Sequence, residues 1–76
     1  MKLPIVDAKT LIKILVNSGY SLVRQRGSHA QFKNNLRTLI TVPIHSGQDI
    51  GRGLLRKIIR DMELTRDEFI ELLKMV

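Results

Sequence analysis

The chain has 76 residues and a net charge of +6, with 43% apolar and 26% charged residues, the proportions of an ordinary globular domain and not of a disordered or fibrous sequence. That length makes residues 1–76 one domain with a thin core, because so short a chain buries only about 60% of the surface it exposes when unfolded. No apolar run exceeds three residues and the N-terminus has no signal-peptide core, so a membrane span is excluded and a cytoplasmic protein is expected. The absence of cysteine removes disulfides, thiolate nucleophiles and cysteine-type zinc sites.

In chain order, Asp7 is placed to cap a helix over residues 8–18, with Val6 and Leu11 as its hydrophobic staple, Gly19 as its stop, and Leu11, Ile12, Leu15 and Val16 as its apolar stripe. β-prone runs follow at 20–26, 29–33 and 38–44, separated by Gly27-Ser28 and Asn34-Asn35, which predicts an antiparallel meander. Pairing Phe32 with Ile40 and Ala30 with Val42 needs a five-residue loop from Asn34 to Thr38. It buries those residues with Ile44 and turns His29, Gln31, Lys33, Thr41 and His45 the other way. A second helix is expected from near Ile50, burying Leu54, Leu55, Ile58, Ile59 and Met62 and presenting Arg52, Arg56, Lys57 and Arg60. Thr65 and Glu68 form a capping box for a third helix, stapled by Leu64 and Phe69 and buried through Phe69, Leu72, Leu73 and Val76. The fold class is α+β: a helix, a three-stranded antiparallel sheet and two C-terminal helices, with the helices on one sheet face.

The charge is divided along the chain. Residues 1–60 carry a balance of +9 and residues 61–76 one of −3, and no acid occurs between Tyr20 and Arg37, where Arg24, Arg26, Lys33 and Arg37 fall. A basic face of this kind attracts a polyanion, and nucleic acid is the first candidate; a solvated sheet face is the plain alternative. Clustered carboxylates or imidazoles for a metal ion are missing from the strand region, and no phosphate-binding loop of the GxxxxGKS kind occurs, so no metal and no small-molecule cofactor is expected. The neighbours Ser28-His29 and His45-Ser46 point to opposite faces on a strand and do not make a nucleophile with its base.

There remains His29, which opens a strand after the Gly27-Ser28 turn with Arg24 and Arg26 across that turn and Lys33 further along. Imidazole is the usual general acid or base, and RNA brings its own nucleophile: the 2′-hydroxyl attacks the adjacent phosphorus once a base takes its proton, while cations stabilise the phosphoryl oxygens. His45, after Pro43, is a candidate supporting group or a hydrogen-bond partner for the start of the second helix.

The string Arg24-Gln25-Arg26-Gly27-Ser28-His29, with Val42-Pro43-Ile44-His45 after the next hairpin and Gly51-Arg52-Gly53-Leu54-Leu55-Arg56-Lys57 opening the next helix, resembles the HicA (YcfA-like) family. Lys2-Leu3-Pro4 and Leu64-Thr65 through Phe69 resemble it too. The resemblance implies an mRNA interferase, the toxin half of a toxin–antitoxin pair, with a fold similar to double-stranded-RNA-binding domains. It implies His29 as the catalytic residue, Gly27 and Ser28 as the turn that presents it, and a HicB-like antitoxin as partner. Arg24, Arg26, Lys33, Arg52, Arg56 and Lys57 join them as RNA-binding candidates on charge and position. The family's Gly-Thr-Leu is Gly53-Leu54-Leu55 here, so no threonine hydroxyl meets a phosphate at that helix start. The expected function is therefore a metal-independent endoribonuclease that acts on mRNA. The alternative is a non-catalytic module that binds structured RNA through its basic face.

Overall fold

The computed structural model describes residues 3–45 and 47–76; Lys2 and Ser46 lie outside them. Six elements follow one another: α1 (Ala8–Asn17), β1 (Ser21–Arg26), β2 (His29–Lys33), β3 (Leu39–Pro43), α2 (Arg52–Asp61) and α3 (Arg66–Leu73). None of the helices is long and apolar enough to cross a membrane.

Local hydrogen bonding sets where each helix begins and ends. The Asp7 carboxylate accepts the Thr10 N–H at 2.8 Å and caps α1. At the other end Gly19, with φ +92, donates its N–H to the Val16 carbonyl while Tyr20 donates to that of Leu15, the paired bonds of a Schellman motif. α2 closes in the same way: Glu63 donates to Arg60 and Leu64 to Ile59. Here the left-handed position is held by a glutamate at φ +59, a conformation that crowds its Cβ against the backbone. α3 carries the reciprocal capping box, with the Thr65 N–H on the Glu68 carboxylate at 2.7 Å and the Glu68 N–H on the Thr65 hydroxyl at 3.1 Å.

The strands form one antiparallel sheet in the order β1-β2-β3. Ala30 faces Val42 and Phe32 faces Ile40, so the expected register holds, and the loop between β2 and β3 has the expected five residues. Asn34 organises that loop: its side-chain oxygen accepts the N–H groups of Leu36 and Thr38 at 3.1 and 2.9 Å, and Arg37 takes the left-handed turn position at φ +64. Between β1 and β2, Gly27 at φ +55 followed by Ser28 makes a two-residue turn. Positive φ at only the first turn residue is the type II′ pattern, which matches the twist of the strands.

Ala30, Phe32, Ile40 and Val42 bury one sheet face under Leu11, Ile14 and Leu15 of α1, Leu55, Ile58 and Ile59 of α2, and Phe69 of α3. The helices are thus gathered on one side of the sheet, as the sequence pattern requires. Several details differ from expectation. The buried stripe of α1 is Ala8, Leu11, Ile14 and Leu15, while Ile12 is half-buried and Val16 is exposed. At about 100° per residue the stripe centres on Leu11, which leaves Ile12 at the rim and turns Val16 about 140° away, toward solvent. α2 starts at Arg52 and not near Ile50, because Ile50 is spent on the N-terminal segment: its N–H donates to the Val6 carbonyl at 2.8 Å and Asp49 bridges Asp7. Val76 is exposed, since α3 ends at Leu73, and Ile44 is half-buried beyond the end of β3.

Two outcomes follow from the caps. Glu63→Gly relieves the left-handed strain and is expected to raise stability by about 1 kcal/mol, whereas Gly19→Ala lowers it by a similar ~1 kcal/mol, both read by denaturant unfolding. The second concerns acid. Hydrogen bonds from Thr10 hold the Asp7 carboxyl below its ordinary pKa, and those from Thr65 do the same for Glu68. A carboxyl lowered on folding contributes stability that is full above the unfolded value and is lost as pH falls through the folded one, so the melting temperature should drop below about pH 5. The double variant Asp7→Asn, Glu68→Gln should show a shallower drop over that range; an identical acid profile would contradict the assignment.

Candidate nucleic-acid interface

Strand alternation leaves His29, Gln31 and Lys33 of β2 on the face opposite the helices, with Leu39, Thr41 and Pro43 beside them on β3. Whether the arginines of β1 join them depends on parity. Leu22 faces Phe32 on the core side, so simple alternation would send Arg24 and Arg26 to the core side as well. The register shifts between Leu22 and Arg24: Val23 is an extra residue without its own partner, a β-bulge that resets the alternation. Arg24 therefore faces Gln31 and Arg26 faces His29, all on the open side. Directly opposed residues have Cβ atoms about 5 Å apart, which sets the Arg26 guanidinium and the His29 imidazole on neighbouring stems. On the other flank His29 faces Pro43.

The hairpin end that carries His29 is anchored twice. Gly27 supplies the turn, and the Ser28 carbonyl accepts the N–H of Ile44 just past β3, so the turn is tied to the third strand as well. His29 itself is exposed, and no side-chain hydrogen bond from another described residue engages its ring. That leaves the imidazole open to a ligand.

Two hollows meet at His29. One, of about 550 Å³, is lined by Arg24, Arg26, Gly27, His29, Gln31 and Thr41. The other, of about 480 Å³, lies between β3 and α2, with His29, Thr41 and Pro43 on one side and Leu54, Lys57 and Asp61 on the other. Lys33 shares the open face, but it stands four residues along β2 and so about 13 Å from His29.

The basic residues of α2 divide among three places. Lys57 reaches the His29 side, where its ammonium pairs with the Asp61 carboxylate at 2.8 Å. Arg56 lines a different hollow of about 280 Å³, with Arg60, Arg66 and the apolar Leu3, Ile59 and Leu64. Arg52 is exposed at the start of α2 and lines none of these hollows. His45 is separate again. Its carbonyl accepts the Gln48 N–H at 3.1 Å, and its side chain lies with Asp7, Lys9 and Ile44 at the start of α1, so the expected ring contact with the start of the second helix is absent among the described residues. No three of His, Asp or Glu come together among the described residues in a way that could hold a metal ion.

Pro43, Leu54 and Asp61 were not named as site residues from sequence, and no local signal could have named them. They come to His29 only because β3 and α2 border the same hollow. Gln31 and Thr41 were legible as open-face residues from strand alternation alone.

No curated protein matches the chain. A family comparison does: the sequence model described as the HicA toxin of bacterial toxin-antitoxin matches residues 8–64, which take in α1, the whole sheet, the hairpin turn at Gly27-Ser28 and all of α2. The match covers well over half of the 76 residues and every element that builds the two hollows at His29, so the chain belongs to the HicA toxin family of toxin–antitoxin systems.

Proposed function

We propose that this toxin is a metal-independent endoribonuclease that cuts mRNA at the His29 face and is held in check by a HicB-like antitoxin covering the same face. The observation that carries this reading is the placement of an unengaged imidazole on an open sheet face, opposite Arg26 and in one hollow with Arg24. A phosphodiester lying in that hollow meets two guanidinium groups, which suit phosphate oxygens through paired N–H donors.

In the proposed reaction the imidazole of His29 takes the proton of a ribose 2′-hydroxyl. The 2′-oxygen bonds to the adjacent phosphorus, the bond from phosphorus to the 5′-oxygen breaks, and water returns a proton to that leaving oxygen. Arg24 and Arg26 stabilise the charge that builds on the non-bridging oxygens, and because they also bind the ground state, only the part that grows in the transition state accelerates the step. The products are a 2′,3′-cyclic phosphate and a 5′-hydroxyl. The turn at Gly27 and Ser28 serves by fixing where the histidine stem leaves the sheet. Lys33, Arg52 and Arg56 lie further out, where they guide the rest of a polyanion and do not touch the reacting phosphate. His45 has no part in the step. The cytoplasm, where mRNA is found, is the compartment this activity requires.

The decisive experiment incubates the pure chain with a long RNA in the presence of chelator and sequences the ends. Cleavage with cyclic-phosphate termini is expected. His29→Ala should lower the rate by a factor of ~100 to 10,000 while leaving unfolding and RNA affinity nearly unchanged, as an exposed strand residue contributes little packing. Cleavage at the parent rate by His29→Ala would end this mechanism, and RNA that binds yet stays whole with the parent chain would favour the non-catalytic RNA-binding module. A further measurement is the salt dependence of binding, expected to fall with a log–log slope near −0.7 for each phosphate contacted on a single strand. Arg24→Ala and Arg26→Ala should each make that slope shallower by about one contact; an unchanged slope would place the RNA elsewhere.

A further inference from the structure

The hollow between β3 and α2 has the wrong chemistry for a phosphate. Pro43 and Leu54 give it apolar, half-buried walls, and Asp61 is the only acid lining either hollow at His29. A carboxylate repels the backbone of a polyanion but accepts hydrogen bonds from the N–H donors of a base. Nor is stability a reason for it: the Lys57–Asp61 pair is largely exposed, with 63% and 34% of the two side chains accessible, and exposed pairs of this spacing contribute well under about 1 kcal/mol.

The order of polar atoms along that pair is specific. The Lys57 ammonium is a donor, Asp61 Oδ2 beside it at 2.8 Å is an acceptor, and Asp61 Oδ1, which accepts no hydrogen bond from any described residue, is a second acceptor. Donor, acceptor, acceptor is the order that cytosine presents on its Watson–Crick edge. Its complement is guanine, with the O6 acceptor, the N1–H donor and the N2 amino donor. Uracil offers one donor flanked by two carbonyls, cytosine repeats the order of the protein, and adenine ends after two positions. Single-stranded RNA is read in this way, with the base splayed out, its faces on apolar walls and its edge on fixed polar groups.

We propose that the β3–α2 hollow is a nucleobase subsite that takes guanine next to the phosphate held at His29, its edge read by Lys57 and Asp61 and its ring packed between Pro43 and Leu54. This rests on reading the His29 face as an RNA site. It assigns the base preference of that site to an ion pair on α2.

The test uses RNA that cannot be cut, so that binding is read apart from cleavage. Four 2′-O-methyl oligonucleotides of uridines, differing only in a central G, A, C or U, are titrated against the full chain by fluorescence anisotropy, with amide shifts followed for Leu54 to Asp61. The guanine oligomer should bind about tenfold or more tighter than the others and shift those amides most. In Asp61→Asn the preference for guanine should vanish while the all-uridine oligomer binds as well or better, because a negative charge has left a basic face; a merely structural Asp61 would weaken all four alike. Lys57→Met supplies a second variant, in which all four weaken and guanine weakens most. Equal binding of all four by the parent chain, or a guanine preference that survives Asp61→Asn, overturns the subsite and leaves the RNA face standing. Failure of all four to bind overturns the RNA reading itself and the subsite with it.

Discussion

A three-stranded sheet covered by helices on one side allows each strand two destinations for its side chains, and parity decides between them. The middle strand, β2, has five residues and a partner on both sides, so its alternation is fixed from both edges. Ala30 and Phe32 are drawn to the core by burial, and that alone commits His29, Gln31 and Lys33 to the open face. A slip of one residue in either pairing would trade the aromatic core for a histidine and a lysine. The open face is thus held in place by hydrophobic energy spent on the other side of the same strand.

Electrostatics then separate the molecule along a second direction. The hollow that Arg24, Arg26 and His29 share has no acid in its lining, while five of the seven acidic residues fall from Asp61 onward, at the end of α2, in the α2–α3 connection and in α3. Tyr20 marks the boundary from inside: burial raises its phenolic pKa, and the nearby Glu63 and Asp61 charges add to the shift. The chain belongs to a toxin–antitoxin family, and a basic face of this kind is complementary to an acidic surface on a partner.

Much of this was legible in the sequence because local chemistry and tertiary demand agree. Asp7, Thr65 and Glu68 are caps by residue type and spacing, Gly19 and Gly27 occupy the left-handed positions that favour glycine, and alternation in β2 and β3 dictates the register. What was hidden are the places where a residue takes a conformation or a neighbour that its type does not announce. Glu63 sits in a left-handed cap without being glycine or asparagine. Ile50 reads as a helical residue but is recruited to pair with Val6. Arg52, Arg56 and Lys57 look like one basic stripe, yet only Lys57 turns toward His29, because the direction in which α2 crosses the edge of β3 is a property of the whole core.

The bulge at Val23 has a consequence for how this fold can vary. Substitution at Val23 should be tolerated widely, since its side chain is half exposed and no ladder partner depends on it. The same holds for its presence. One residue removed there would leave a regular ladder, with Leu22 still opposite Phe32 and Arg24 still opposite Gln31, so β1 would show its arginines on the same side. Among relatives of this chain, position 23 should therefore drift freely while Arg24 and Arg26 do not, and an alignment gap at that position would mark a protein that has lost the bulge and kept its arginines beside the histidine.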